Sequence, residues 1–276
     1  MSLWSRNECR IVLQPHQLVL AHLRRGLNSR VLAKRFIPCP APGDGQPPWS
    51  GALKALEAVM PEIAEHRAHA TVILSNHFMR YAMVPWSDAL NDEAEEISYA
   101  RHTFGEMYGR EVGDWELRIS PGRAGDAQLA SAVDARLLGA LRDLFGRHRV
   151  GLGSIRPHLM HACNVCRAAL QRRSGWLVLV ERGNLCLALL QNGRLAWVRS
   201  MRTGSHWHME LPFLLNREEL VANIEVPSSE VLLWMPEQQR APAVAGGRWK
   251  LRTLQPPRMP SMAPKLDNRF AMYMSD

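Results

Sequence analysis

The chain has 276 residues, enough for one large domain or two small ones, each able to bury a core. Apolar residues make up 46%, an ordinary share for a globular protein, and a net charge of +8 favours an anionic partner: a membrane surface, an acidic protein patch or nucleic acid. Five cysteines, an odd number, argue against a disulfide framework and for a reducing compartment.

The first predicted elements lie in Arg10 to Gly26, RIVLQPHQLVLAHLRRG: a short apolar strand, a polar tight turn, a longer apolar strand and a second turn. Val31 to Ile37 is a third β-rich segment. Residues 40–49 form a Pro/Gly loop. Ser50 then offers an N-cap for a helix with Leu53, Leu56, Met60 and Ile63 on one face, which Pro61 is expected to kink or end. Thr71–Leu74 and Tyr81–Val84 read as strands. Residues 88–108 read as an amphipathic helix with an acidic start, suited to the helix dipole. Trp115–Ile119 alternates as a half-buried strand, with Gln128–Val133 as its pairing partner. Asp134 is expected to cap a helix carrying Leu137, Leu138, Leu141, Leu144 and Phe145. Gly151–Ile155 is a short strand, and Pro157 opens a helix to about Leu170.

After a hinge at Arg172-Arg173-Ser174-Gly175 comes Leu177 to Gly193, LVLVERGNLCLALLQNG. Without a gap it matches the first segment at Leu18/Leu185, Leu20/Leu187, Ala21/Ala188, Leu23/Leu190 and Gly26/Gly193. Most other columns exchange one apolar residue for another. Turn lengths match as well as composition, which favours two related β-meanders, each opening its own domain, over chance likeness between buried strand pairs. Leu195–Ser200, a helix over Leu211–Ile224 and a strand over Val231–Met235 follow. Residues 237–248 read as a loop, Trp249–Leu254 as a last strand, and the tail from Gln255 as lacking a core of its own.

The N-terminus, MSLWSRNECR, has no apolar h-region, and the longest apolar runs are broken by Glu181-Arg182 or Gln191-Asn192, far short of a bilayer span. The expectation is a soluble, cytoplasmic protein. The arginine excess is scattered, with local groups at Arg24-Arg25, Arg147-His148-Arg149 and Arg172-Arg173.

A β-β-β-α-β unit occurring twice, with an α/β insert in the first copy, is the plan of the duplicated actin-like, or RNase H-like, α/β fold. On TVILSNHFMRYAMVPW, AQLASAVDARLLGALRDLFGRHRVGLGSIRPHLMHAC and GWLVLVERGNLCLALLQNGRLAWVRS the chain resembles the PilM family of type IV pilus assembly and the cytoplasmic domains of GspL in type II secretion. The resemblance covers roughly residues 8–255 and lies in layout more than in identity. It implies a first actin-like subdomain over 1–174 with an inserted module at about 88–170, a second, reduced subdomain over 175–254, and a tail over 255–276.

The resemblance also implies a nucleotide site at the two hairpin turns, where active actin-like ATPases carry an Asp-x-Gly pattern. The first turn here, Leu13-Gln14-Pro15-His16-Gln17, has no carboxylate and no glycine, and Pro15 removes an N–H that a phosphate would use. The second, Val180-Glu181-Arg182-Gly183-Asn184, keeps an acid and a glycine. Glu181, Gly183 and Asn184 are therefore the candidate remnant, with Glu181 near a metal and Gly183 at phosphate. Hydrolysis is not expected, and no cofactor is expected, ATP with Mg²⁺ being the alternative.

His158, His161, Cys163 and Cys166 are four good zinc ligands. On a helix, at about 100° per residue, they spread over roughly 200° of its circumference, too wide for one ion. A core helix without metal is the expectation, zinc the alternative. His206 and His208 are a second, weaker pair. No Walker pattern, dinucleotide fingerprint or Gly-x-Ser-x-Gly occurs. The resemblance thus implies a non-catalytic cytoplasmic scaffold, peripheral to the inner membrane. It would bind a cytoplasmic segment of a single-pass inner-membrane protein, with a motor ATPase as a further partner. The alternatives are a divergent ATPase or phosphotransferase and a basic nucleic-acid-binding protein.

Overall fold

In a computed structural model of the chain, the described residues are 6–25, 29–66, 68–90, 92–223, 228–237, 248–256, 261–263, 266 and 269–275. The chain begins with β1 (Arg6–Leu13), β2 (Gln17–Arg25), β3 (Arg30–Pro38), α1 (Ser50–Glu65), β4 (His69–Leu74) and β5 (Met79–Val84). Then come α2 (Glu93–Tyr108), β6 (Trp115–Ile119), β7 (Gln128–Asp134), α3 (Ala135–Arg147), β8 (Leu152–Pro157), α4 (His158–Val165) and α5 (Arg167–Leu170). The rest is β9 (Gly175–Glu181), β10 (Asn184–Gln191), β11 (Arg194–Arg202), α6 (Trp207–Ala222), β12 (Glu230–Trp234), β13 (Lys250–Thr253) and β14 (Ser261–Met262). Short 3-10 turns span Gly109–Asp114 and Ala271–Met274.

Two compact units result. The first comprises Met1–Phe78, Ala135–Val165 and Pro256–Asp276. Its six-stranded sheet has the order β14-β3-β2-β1-β4-β8. The meander β1-β2-β3 is antiparallel, whereas β4 joins β1 in parallel and β8 joins β4 in parallel. Central strands buried on both faces need continuous apolar runs, which is why β2 reads Leu18-Val19-Leu20-Ala21 without alternation. The crossover helix α1 buries Ala52, Ala55, Leu56, Val59, Met60 and Ile63, a stripe at helical spacing.

Pro61 neither ends nor breaks this helix. It and Glu57, whose carbonyl loses its N–H partner, both lie on the exposed face. The N-cap is Trp49, without a side-chain bond, rather than Ser50. The tail adds to this unit. Ser261–Met262 pairs with β3, and Phe270, Tyr273 and Met274 pack against Val12, Val19 and Ile73. The tail has no separate core because it completes this one.

The second unit comprises Met79–Asp134 and Cys166–Gln255. Its five-stranded sheet has the order β11-β10-β9-β12-β13. Trp176, Val178, Leu185 and Leu187 from the sheet pack against Trp207, Leu211 and Leu215 of α6. A second, antiparallel sheet, β5-β7-β6, is covered by α2, whose Ala100 and Phe104 bury against Ala82, Leu117 and Ala130. Asp92 caps α2, accepting from the Glu95 N–H at 2.9 Å. Residues 135–165 fall in the first unit, with β8 in its sheet, and Met79–Asp134, with α2 and the sheet β5-β7-β6, falls in the second.

The duplication is visible in the pairing registers. Leu13 lies opposite Leu18, and Val180 opposite Leu185, the same columns of the two repeats. The ladder to the third strand slips between His22 and Leu23 in one copy and between Leu189 and Leu190 in the other, again the same columns. In both copies the fourth strand adds in parallel to the first. Gly26 of the sequence match lies outside the described residues, as do Ile224 of the expected helix and most of the 237–248 loop.

Candidate functional site

The first hairpin turn is closed on itself. The Gln14 N–H donates to the Gln17 carbonyl at 3.1 Å, and Gln17 Nε2 donates to Gln14 Oε1 at 3.1 Å. The Gln14 side chain is fully buried, and the His16 carbonyl accepts from the Cys39 N–H at 3.0 Å. Pro15 has no N–H to offer. A phosphate would find here neither a row of free amides nor a carboxylate to carry Mg²⁺.

The second turn joins β9 to β10 through Arg182 and Gly183, with Glu181 and Asn184 as ladder partners on either side. Gly183 has φ of 80°, a backbone state that favours glycine. Its carbonyl accepts from the Thr203 N–H at 3.2 Å, and Asn184 Oδ1 accepts from Ser200 Oγ at 3.0 Å. The first ties the turn to the residue just after β11, and the second ties it to β11 itself. Glu181 is 2% exposed. The three candidate remnant residues are thus adjacent, and two of them have roles in the sheet itself.

The His/Cys segment is not one helix. α4 ends at Val165, Cys166 forms the break, and α5 follows. His158 accepts from Asn76 Nδ2 at Nδ1, at 3.2 Å, and both His158 and His161 pack on the Tyr273 ring. Burial, with Arg10 and His158 nearby, pushes His161 well below the usual histidine range. Burial pushes the Cys166 thiol up to about 12. Among the described residues, no three of His158, His161, Cys163 and Cys166 bring ligand atoms within 4.8 Å of one another. His206 is the N-cap of α6 and His208 lies within it, their rings 6.3 Å apart.

Among the described residues one other group does converge: His22 on β2, Glu62 on α1 and His66 at the C-cap of α1. Sequence reading missed it. The available signal was the Glu62-x-x-x-His66 spacing, which places both side chains on one helix face, but nothing local names β2 as the strand beneath.

The inserted sheet leaves β6 at an edge, with β7 as its one partner among the described residues. Beside the end of β6, Val84, Pro85, Trp86, Leu90 and Ile119 line a small hollow together with the polar Ser87, Glu96 and Gln128, and Trp86 is 41% exposed. This edge and hollow offer main-chain groups and apolar contact together, the two requirements for capturing an extended segment.

No protein-family model and no curated protein matches the chain. Among solved structures it is similar to the PilM–PilN type IV pilus biogenesis complex, with a TM-score of 0.62 at 13% identity over 96% of this chain and 95% of that one. It is similar to the cytoplasmic domain of EpsL, an inner membrane component of the type II secretion system of Vibrio cholerae, with a TM-score of 0.55 at 12% identity over 98% and 93% of the two chains. A Bacteroides thetaiotaomicron protein with an actin-like ATPase fold matches with a TM-score of 0.53 at 9% identity, over 83% and 81%. At these identities the likeness is one of fold: a duplicated, actin-like α/β architecture.

Proposed function

We propose that this chain is a non-catalytic cytoplasmic scaffold, peripheral to the inner membrane, in a bacterial pilus or secretion assembly platform. In this reading it holds a cytoplasmic segment of a single-pass inner-membrane protein, and a motor ATPase is a further partner. The observation that carries the reading is the first hairpin turn. The fold's phosphate position holds Gln14-Pro15-His16, where the Gln14 amide and side chain bond to Gln17 and the His16 carbonyl accepts from Cys39. The same fold serves an inner-membrane secretion component and occurs in a pilus biogenesis complex, so loss of nucleotide chemistry leaves a use for it. Glu181, Gly183 and Asn184 then persist as hairpin residues.

The inserted module receives the partner segment. An extended peptide adds to β6 through main-chain hydrogen bonds, and its apolar side chains pack on the surface beside Trp86 and Ile119. The net charge of +8 steers an acidic or membrane-proximal segment without supplying most of the affinity. The test uses immobilised full-length protein and synthetic peptides covering the cytoplasmic segments of single-pass inner-membrane proteins from the source cell. One peptide is expected to bind saturably and to lose at least about tenfold in affinity to Ile119→Asp. Equal binding by that variant removes the edge as the docking place. Absence of saturable binding by every peptide removes the scaffold reading.

A further inference from the structure

His22 presents an unusual buried group. It lies on the central strand β2, 8% exposed, and its Nε2 is buried without a hydrogen-bond partner. That nitrogen faces Glu62 Oε1 at 3.7 Å, too far for a hydrogen bond. The His66 ring lies 4.0 Å from the His22 ring, centroid to centroid. The contact with Glu62 is within ion-pair distance but longer than a hydrogen bond, so the buried nitrogen has room for a closer partner. A cation between the two groups satisfies both.

We propose that His22, Glu62 and His66 form a binding site for a borderline divalent transition metal, Zn²⁺ in the first instance. Each residue offers one ligand atom, and the three atoms lie within 4.8 Å of one another. Zinc bonds nitrogen and oxygen at about 2.0–2.2 Å, so tetrahedral ligands stand about 3.4 Å apart. The gap of 3.7 Å between His22 and Glu62 closes by a few tenths of an ångström, within reach of a flexible carboxylate. Two imidazoles and one carboxylate favour Zn²⁺, Cu²⁺ or Ni²⁺ over Mg²⁺ and Ca²⁺, which take oxygen ligands.

The supporting geometry is already in place. Glu62 and His66 stand one helical turn apart at the end of α1, which packs over β2. Arg35 on β3 pairs with the other Glu62 oxygen, Oε2, and so turns Oε1 toward His22. Arg35 is a positioning residue here, since an outer partner that holds a ligating carboxylate also orients it. Three protein ligands leave a fourth position for water. His66 is exposed, which gives the ion a way in. Bound metal would pin the end of α1 to the central strand of its own unit.

The test uses full-length protein without a polyhistidine tag, stripped with chelator and titrated with Zn²⁺ alone by calorimetry. One equivalent is expected, with a rise in melting temperature on loading. His66→Ala, at an exposed position that leaves the core intact, and Glu62→Gln are each expected to weaken binding at least about tenfold. Cys163→Ser is expected to leave it unchanged. Co²⁺ substitution is expected to show visible tetrahedral bands without a thiolate charge-transfer band. Absence of stoichiometric Zn²⁺ binding, unchanged affinity in His66→Ala, or a thiolate band lost in Cys163→Ser or Cys166→Ser would each overturn the proposal.

Discussion

Arg10 is the most demanding single residue of the first unit. It is 1% exposed on β1, bonds Glu8 at 3.0 Å, and donates to the carbonyls of Tyr273 and Ser275 at 2.8 and 2.7 Å. Burial alone would raise the Glu8 carboxyl, yet Arg25 and Arg10 beside it hold it below its usual range. Arg10→Ala leaves buried acceptors without their donor and is expected to cost about 3–5 kcal/mol in urea unfolding. A loss under about 1 kcal/mol would show that the tail does not depend on this anchor. His161 supplies a pH test. Its folded pKa lies below the unfolded value of about 6.5, so the unfolded chain takes up the proton first. Its contribution is therefore complete above about pH 6.5 and declines as pH falls toward the folded value. Between about pH 7 and 5.5 the urea midpoint of the wild type is expected to fall more than that of His161→Gln. Parallel profiles would remove His161 as the source.

The repeated hairpins carry the clearest message at the level of elements. Their register and their ladder slip recur in the same columns, because the apolar spacing that buries each strand also sets its pairing. The second copy is closed by Asn192 and Gly193, with φ of 50° and 79°. A Cβ at Gly193 would stand 2.6 Å from the Arg172 amide nitrogen. Gly193→Ala is expected to cost about 1–3 kcal/mol, read as a shift in the unfolding midpoint. An unchanged midpoint would show that the turn relaxes. The meanders and crossover helices were legible in the sequence because each encodes its own period. Three other features were not. Tyr81–Val84 reads as a strand, but only pairing with β7 places it in the inserted sheet. The tail's Pro- and Met-rich composition hides its role, since Tyr273 and Met274 meet core partners more than 190 residues earlier in the chain. The His22–Glu62–His66 group is split between a strand and a helix, so no linear spacing marks it.

At the scale of the molecule, two functions compete for one fold, and magnesium decides between them. A phosphotransferase needs a carboxylate to hold the metal ion and amides to cradle the phosphates. The first unit offers Gln14-Pro15-His16 at its hairpin, already bonded to Gln17 and Cys39. The second offers Glu181 and Gly183, with Gly183 bonded to Thr203. A carboxylate on one hairpin alone does not complete the constellation. The full-length protein is therefore expected to release phosphate from Mg-ATP no faster than a buffer blank, in a steady-state assay sensitive to one turnover per hour or so. Steady release that disappears in Glu181→Ala would restore the enzyme reading, because an ATPase contaminant would not respond to that change. A thermal shift with nucleotide would not restore it, since binding can outlast hydrolysis. The scaffold reading adds a second arm. Capture of the partner peptide rests on apolar anchors and main-chain bonds, so it should be indifferent to Mg-ATP and should change little between about 0.05 and 0.3 M salt. A steep fall over that range would mean that the charge of +8 supplies the affinity, and binding to DNA with the same slope would shift the reading to nucleic acid.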